Sequence, residues 1–266
     1  MSDRRNVYFS FKKQDNLLEK INSLIEFAKD NGFHVVKDHT QANIIVSIGG
    51  DGEFLQAVRK TNFRPDCLYV GIGVDDTLSL YCDFQLDDRK KMIHAFTESQ
   101  IEVRRYPVLQ VKIDDETSFK CLNDCSIRSS IIKTIVIDVY IDDLHFETFR
   151  GDGLLIATPT GSTAYSKSVN GAVVDPMLPC IQVSELASLN NNLYRTLGSS
   201  FILSENRHLM LKIVQDGNDY PIIGMDNEAL SISNVKQLEY SLSETPIKTV
   251  KLKDNSYWEK VKRSFL

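Results

Sequence analysis

Apolar and polar residues alternate in two rhythms along the first hundred positions. The short apolar runs "NVYFSF" (6–11), "FHVV" (33–36), "NIIVSI" (43–48) and "CLYVGI" (67–72) read as strands. The runs at 43–48 and 67–72 are continuous, as strands buried on both faces of a parallel sheet require. Between the runs lie stretches with helical spacing. Leu17, Ile21, Leu24, Ile25 and Ala28 fall on one stripe of a helix that Asp15 can cap and Gly32 can stop. "FLQAVRKTN" predicts a second helix. "LDDRKKMIHAFTES" (86–99) predicts a third, with Met92, Ile93 and Phe96 on its stripe and Asp87 or Asp88 near its start. This succession predicts an α/β domain over residues 1–100, built on a doubly wound, mostly parallel sheet.

Beyond residue 100 the rhythm becomes period two. "IEVRRYPVLQVKID", "SFKCLNDCSIR", "KTIVIDVYID", "LHFETFR", "GLLIATP", "SFILS", "HLMLKIV", "YPIIGM", "KQLEYSLS" and "IKTVKL" follow one another with short polar turns. Several alternate apolar and polar residues, the mark of strands with one wet face. A β-rich domain is predicted over 101–250, with one helix around 179–190 ("PCIQVSELASLN"). The closing segment, 251–266, contains "SYWEKVKRSFL", which predicts a short amphipathic helix packing back on the first domain.

Composition narrows the function classes. The 266 residues, 42% hydrophobic and 25% charged, suffice for one large core or two modest ones. A net charge of −5 argues against a nucleic-acid-binding surface, which is normally basic. The N-terminal "MSDRRNVYFSFKKQD" lacks a signal peptide's apolar core, and no run approaches the roughly 18–20 apolar residues of a membrane span. No membrane association and a cytoplasmic location are expected. The five cysteines (Cys67, Cys82, Cys121, Cys125, Cys180) and five histidines form no metal-ligand spacing, so reduced thiols and no protein-built metal site are expected.

The candidate chemistry begins at "SIGGDGEF" (47–54). One reading is a phosphate loop. Another is a near match to the Gly-Gly-Asp-Glu-Phe signature of diguanylate cyclases, with one extra glycine. That signature sits on a hairpin between antiparallel strands, whereas here a buried strand precedes the loop and a helix follows. Strand, glycine loop and helix together present N–H groups to phosphate and aim a helix N-terminus at it. Gly49, Gly50 and Gly52 permit close approach. Asp51 repels phosphate, so in this reading it binds Mg²⁺ or takes a proton from an attacking hydroxyl. Turn glycines with an Asp cap are the plainer alternative.

Two further clusters stand out. "FRGDGLLIATPTGSTAYSKS" (149–168) carries Arg150 and Asp152, then Thr158, Thr160, Ser162, Thr163, Tyr165, Ser166, Lys167 and Ser168. So many hydroxyls beside glycines suit a ligand rich in hydroxyls and phosphates, or else form a polar surface turn. In "LNDCS" (122–126), Asn123 and Asp124 interrupt an apolar pattern. They can hydrogen-bond a ribose diol, or mark a bulge or turn.

Taken together, "GGDG" after a buried strand, "LND" and "FRGDGLLIATPTGSTAYSKSVNGAVVDP" resemble the NAD kinase family, in its shorter Gram-positive form. "QVSELASLNNNLYRTLGSSFIL" and "KLKDNSYWEKVKRSFL" extend the resemblance over nearly the whole chain. It implies a Rossmann-like α/β domain followed by a C-terminal β-sandwich-like domain that binds NAD and mediates oligomerisation. It implies transfer of the ATP γ-phosphoryl group to the 2′-hydroxyl of the adenosine ribose of NAD, with Mg²⁺ or another divalent cation accompanying ATP. It also implies a homodimer or homotetramer whose site a neighbouring subunit completes. Asp51 would be the base. Gly49, Gly50, Gly52 and Glu53 would form the phosphate loop, with Gly52 also near NAD. Asn123 and Asp124 would hold a ribose. Thr163, Ala164, Tyr165 and Ser168 would line the adenine and ribose pocket, with Ser166 and Lys167 in the same NAD-binding run. Arg150 and Asp152 would meet the adjacent protomer's NAD. Ala187 would touch the nucleotide, and Asp226 and Asn227 would border the site.

The sequence departs from the family's pattern at three places. Glu53 stands where threonine is usual, Asp124 where glutamate is usual, and "GIGVDDTLSLYCDF" (71–84) lacks glycines and adds Asp75 and Asp76. A carboxylate about 4 Å from a triphosphate charge repels it by roughly 1–4 kcal/mol. The alternatives that follow are a catalytically weak or inactive NAD(P)-binding relative and a lipid-type kinase sharing the Gly-Gly-Asp-Gly loop. The hydroxyl-rich run and the lack of a membrane-binding patch argue against the latter.

Overall fold

A computed structural model describes residues 5–13, 15–74, 79–114, 116–214, 221–231 and 235–266. The chain forms two compact units, Met1–Tyr106 with Pro246–Leu266, and Pro107–Thr245. The first unit opens with β1 (Asn6–Phe11), α1 (Asp15–Asp30), β2 (His34–Val35), β3 (Ile44–Ile48), α2 (Asp51–Lys60) and β4 (Leu68–Gly73). It continues with β5 (Cys82–Gln85), α3 (Arg89–Thr97) and β6 (Ile101–Tyr106). The second unit holds β7 (Leu109–Ile113), β8 (Thr117–Cys121), β9 (Asp124–Arg128), β10 (Ile135–Ile141), β11 (Leu144–Gly151) and β12 (Gly153–Ala157). A four-residue helix, α4 (Tyr165–Ser168), precedes β13 (Cys180–Leu186), β14 (Phe201–Ser204), β15 (Leu209–Ile213), β16 (Ile222–Met225), β17 (Glu228–Ser231) and β18 (Gln237–Leu242). The chain then returns to the first unit as β19 (Ile247–Leu252) and α5 (Tyr257–Phe265).

The first unit is a seven-stranded sheet in the order β2-β1-β3-β4-β19-β6, with β5 against β4. β1 to β5 run parallel, and β19 joins β4 in the same sense. Ser47 pairs with Gly71 and Ile48 with Ile72, so the loops after β3 and β4 leave the same edge. That carboxyl edge is where open α/β sheets place their ligands. Ile21 and Leu24 of α1 and Phe54, Leu55, Ala57 and Val58 of α2 are buried, as the helical stripes predict. β6 and β19, which period-two patterning groups with the later strands, complete this sheet instead. Backbone pairing partners, not side-chain pattern, decide which sheet a strand joins.

The second unit packs two six-stranded antiparallel sheets face to face, β11-β10-β15-β18-β7-β8 and β14-β13-β12-β9-β16-β17. Leu109, Val111, Ile113, Ile137, Val139, Ile127, Leu154, Ile156 and Val183 meet between them, as in a β-sandwich. The helix expected around 179–190 is a strand. β-Branched Ile181 and Val183 alternate with Gln182 and Ser184, and β12 and β14 pair with β13 on either side. Gln182 and Ser184 are also buried, so the wet face that would have marked a strand is missing. The run "SFKCLNDCSIR" is two strands, β8 and β9, in different sheets, with Leu122 and Asn123 between them.

All five cysteines are buried and unpaired. Among the described residues, no helix is long and apolar enough to cross a membrane.

Candidate functional site

The phosphate-loop residues lie at the β3–α2 junction. Gly50 is the helix N-cap, and Asp51 and Glu53 stand in the first turn. Gly49 has φ 145°, and a Cβ there would meet Glu53 Cγ at 2.4 Å, so only glycine fits. Around Gly52, by contrast, an added Cβ would meet nothing within 4 Å. Glu53 folds back on the loop, and its Oε2 accepts from Gly50 N–H at 2.9 Å. This contact is one half of a capping box.

Asp51 is held from the segment entering β5. Its Oδ1 accepts from Tyr81 N–H at 2.8 Å and from Ser79 Oγ–H, and its Oδ2 accepts from Leu80 N–H at 3.0 Å. The Tyr81 ring stacks on Phe54 of α2, centroids 4.7 Å apart and planes 6° from parallel, fixing that segment against the helix. A carboxylate offers about four lone-pair positions. Among the described residues three are occupied, and the open one is on Oδ2. Asp75 and Asp76 lie outside the described residues.

In the second unit, three turns converge at one end of β9, β12 and β16. Asp226, in the left-handed region at φ 52°, turns its carboxylate onto the 122–124 turn. It accepts from Leu122 N–H at 3.1 Å, Asn123 N–H at 2.7 Å and Asp124 N–H at 3.2 Å. The hydroxyl-rich turn after β12 docks on the same backbone. Thr158 N–H donates to Asn123 O at 2.8 Å, and the Thr158 and Thr160 hydroxyls donate to Leu122 O at 2.5 and 3.0 Å. A Cβ on Gly161 would come within 2.0 Å of Asn123 O, so glycine is required where the turns touch.

Much of the hydroxyl run therefore serves the fold. Ser162 bridges Pro159 O and Val174 N–H, and buried Ser166 accepts from Gln182 Nε2 at 2.8 Å. Thr163 is buried and donates to Thr160 O. Ala164 and Tyr165 are half-buried, Lys167 and Ser168 exposed. The polar surface turn that was the alternative reading is not what forms. Asp124 is 6% exposed. Burial, and then the nearby charge of Asp226, push its carboxyl up to about 7. A buried carboxyl so shifted is a candidate for binding or proton chemistry.

Arg150, Asp152 and Ala187 lie at the opposite end of β12. Six residue steps separate Asp152 from Thr158, roughly 20 Å along a strand. The Arg150 guanidinium sits 4.4 Å from the Tyr194 ring centroid, and its buried Nε has no hydrogen-bond partner among the described residues. Asp152 and Ala187 are exposed, and Asp152 N–H donates to Leu186 O at 2.9 Å. The sequence-predicted residues thus occupy one place in the first unit and two in the second. Sequence reasoning missed Ser79, the Leu80 and Tyr81 amides, and Gln182. The signal for Ser79 was weak, a lone serine before an apolar run.

A family model described as the ATP-NAD kinase C-terminal domain matches residues 122–252. The chain is 66% identical to NAD kinase 2 of Bacillus licheniformis over 266 residues, all of both chains. It is 67% identical to NAD kinase 2 of Bacillus subtilis over 263 residues, 99% of this chain and 98% of that one. Two solved structures share the fold at 21% identity. One is yeast NADH kinase complexed with NADH, with TM-score 0.79 over 97% of this chain and 86% of that one. The other is an NAD kinase from Archaeoglobus fulgidus in complex with ATP, with TM-score 0.76 over 98% and 100%. With identity of 66% along its whole length, this chain belongs to the NAD kinase family.

Proposed function

We propose that this protein is an NAD kinase in which Asp51 is the base. The 2′-oxygen of the adenosine ribose of NAD attacks the γ-phosphorus of ATP, Asp51 takes the hydroxyl proton, and the bond to the β–γ bridging oxygen breaks. The products are NADP, ADP and a proton. The observation carrying this reading is the grip on Asp51. Three donors fix the carboxylate and leave the remaining Oδ2 lone pair to accept a proton.

The other roles in this reading are supported by the side chains' positions. The open space beside Gly52 suits a phosphate approaching the α2 N-terminus. Asn123 and Asp124 would bind a ribose diol, and Ala164, Tyr165, Lys167 and Ser168 present the accessible part of the hydroxyl-rich turn. Among the described residues, no three His, Cys, Asp or Glu side chains converge as a metal site. Mg²⁺ or another divalent cation would arrive with the triphosphate, as part of the substrate. The enzyme would act in the cytoplasm as a homodimer or homotetramer, with Arg150, Asp152 and Ala187 serving a neighbouring subunit's NAD.

Asp51→Asn tests the central assignment. Asparagine keeps the shape but takes no proton, so kcat should fall about 10²–10⁴-fold while the thermal unfolding transition stays in place. Full NADP formation by this variant would remove Asp51 from the role.

A further inference from the structure

Two buried ammonium groups stand behind the segment that holds Asp51. Lys251 of β19 and Lys260 of α5 have side chains only 1% and 3% exposed. Both face Asp83 of β5, whose side chain is fully buried. Lys251 Nζ donates to Asp83 Oδ1 at 3.3 Å, Lys260 Nζ donates to the same oxygen, and Leu252 N–H donates to Oδ2 at 2.8 Å. One carboxylate balances one of the two cations. A buried cation in excess is costly, and packing alone does not call for it.

Three of the four remaining ammonium hydrogens go to main-chain carbonyls. Lys260 Nζ donates to Leu80 O at 3.0 Å and Cys82 O at 3.3 Å, and Lys251 Nζ donates to Tyr81 O. Two of these carbonyls, Leu80 O and Tyr81 O, belong to peptide groups that serve Asp51. The Leu80–Tyr81 peptide receives Lys260 on its oxygen and gives its N–H to Asp51 at 2.8 Å. The Tyr81–Cys82 peptide receives Lys251 on its oxygen and gives its N–H to Ser79 Oγ at 2.9 Å. Ser79 in turn donates its proton to Asp51 Oδ1. Two hydrogen-bonded chains therefore run from ammonium to carboxylate. Each cation polarises its peptide and strengthens the N–H as a donor, and linked bonds in a low-dielectric site reinforce one another.

We propose that Lys251 and Lys260 are positioning residues for phosphoryl transfer, holding the Asp51 carboxylate through these two chains. The proposal rests on the reading of Asp51 as base. Lys251→Met leaves Asp83 paired with Lys260, and Lys260→Met leaves it paired with Lys251, so each variant keeps a balanced buried pair. In each, kcat should fall about 10- to 100-fold with KM for NAD and ATP unchanged.

Ser79→Ala supplies the readout that a merely structural role would not move. Ser79 lies on the Lys251 chain alone. The double variant K251M/S79A should therefore lose no more than its worse single variant, while the losses of K260M and S79A should multiply. Multiplying losses in both pairs, or raised KM with intact kcat, overturn the proposal. Should a Met variant lose its cooperative unfolding transition, Lys260→Gln, which retains a neutral donor, replaces it. An intermediate kcat is then expected, and wild-type kcat overturns the idea. Asp51→Asn, assayed alongside, separates the two readings. Its full activity removes the base itself, whereas its inactivity beside fully active lysine variants overturns only the role of the lysines.

Discussion

Glu53 is the residue whose chemistry sits least easily beside a polyphosphate. Its carboxylate already holds the Gly50 N–H, a donor that a phosphate oxygen would otherwise take. A triphosphate bound at this loop, as proposed, would displace an intramolecular anion or sit beside it. Glu53→Thr removes the charge, and KM for ATP should drop about fivefold or more. The same change leaves the Gly50 N–H without its cap, at a cost of about 1 kcal/mol in stability. Glu53→Gln separates the two effects, since its amide oxygen keeps the bond while the charge is gone. It should lower KM for ATP with no loss in thermal unfolding. An unchanged KM in both variants would show that the triphosphate never senses this side chain. The strand–loop–helix context of Glu53 was legible in the sequence. Its fold-back was not, because composition and spacing do not reveal a rotamer.

The turn between β8 and β9 makes a pH prediction at the level of elements. Asp124 titrates near 7 in the folded chain against 3.8 for an ordinary aspartate. Between those values the native state binds more protons than the unfolded state, so stability falls as pH rises from about 4 to about 7. The gap between 3.8 and about 7 corresponds to roughly 4 kcal/mol above pH 7. Asp124→Asn should thus be more stable than the parent at pH 8 and similar at pH 4, as urea unfolding at the two pH values would reveal. Equal pH dependence in both proteins would contradict the assignment. Elements were readable where one face is wet or where apolar runs are continuous, as in β3, β4 and β7. β13 was misread because neighbouring strands and turns bury its polar residues along with its apolar ones. Nothing in "KLKDNSYWEKVKR" marks Lys251 and Lys260 as buried, since Asp83 lies 168 residues from Lys251 along the chain. The hydroxyl cluster was visible as a cluster, but its division between ligand and backbone depends on which carbonyls fold beneath it.

For the molecule as a whole, the proposed assembly is tied to the segment beyond β13. Leu193 is 84% exposed, with Leu189 and Leu197 exposed nearby and Tyr194 under Arg150. Leu193→Glu should reduce the mass seen by sedimentation and raise KM for NAD, because Arg150 and Asp152 are proposed to serve the neighbour's substrate. An unchanged mass would place the subunit contact elsewhere. The path of the chain has a separate consequence for biosynthesis. The second unit is inserted within the first, and β19, the strand bridging β4 and β6, lies near the C-terminus. On a ribosome the usual order, in which the N-terminal domain folds first, is reversed here. The sandwich is complete while the first sheet still lacks its bridging strand and the carbonyls behind the Asp51 cradle still lack Lys251 and Lys260. A chain stalled before β19 would hold the proposed nucleotide-binding turns without the strand that bridges β4 and β6, so on this reading catalysis awaits a segment made after the sandwich.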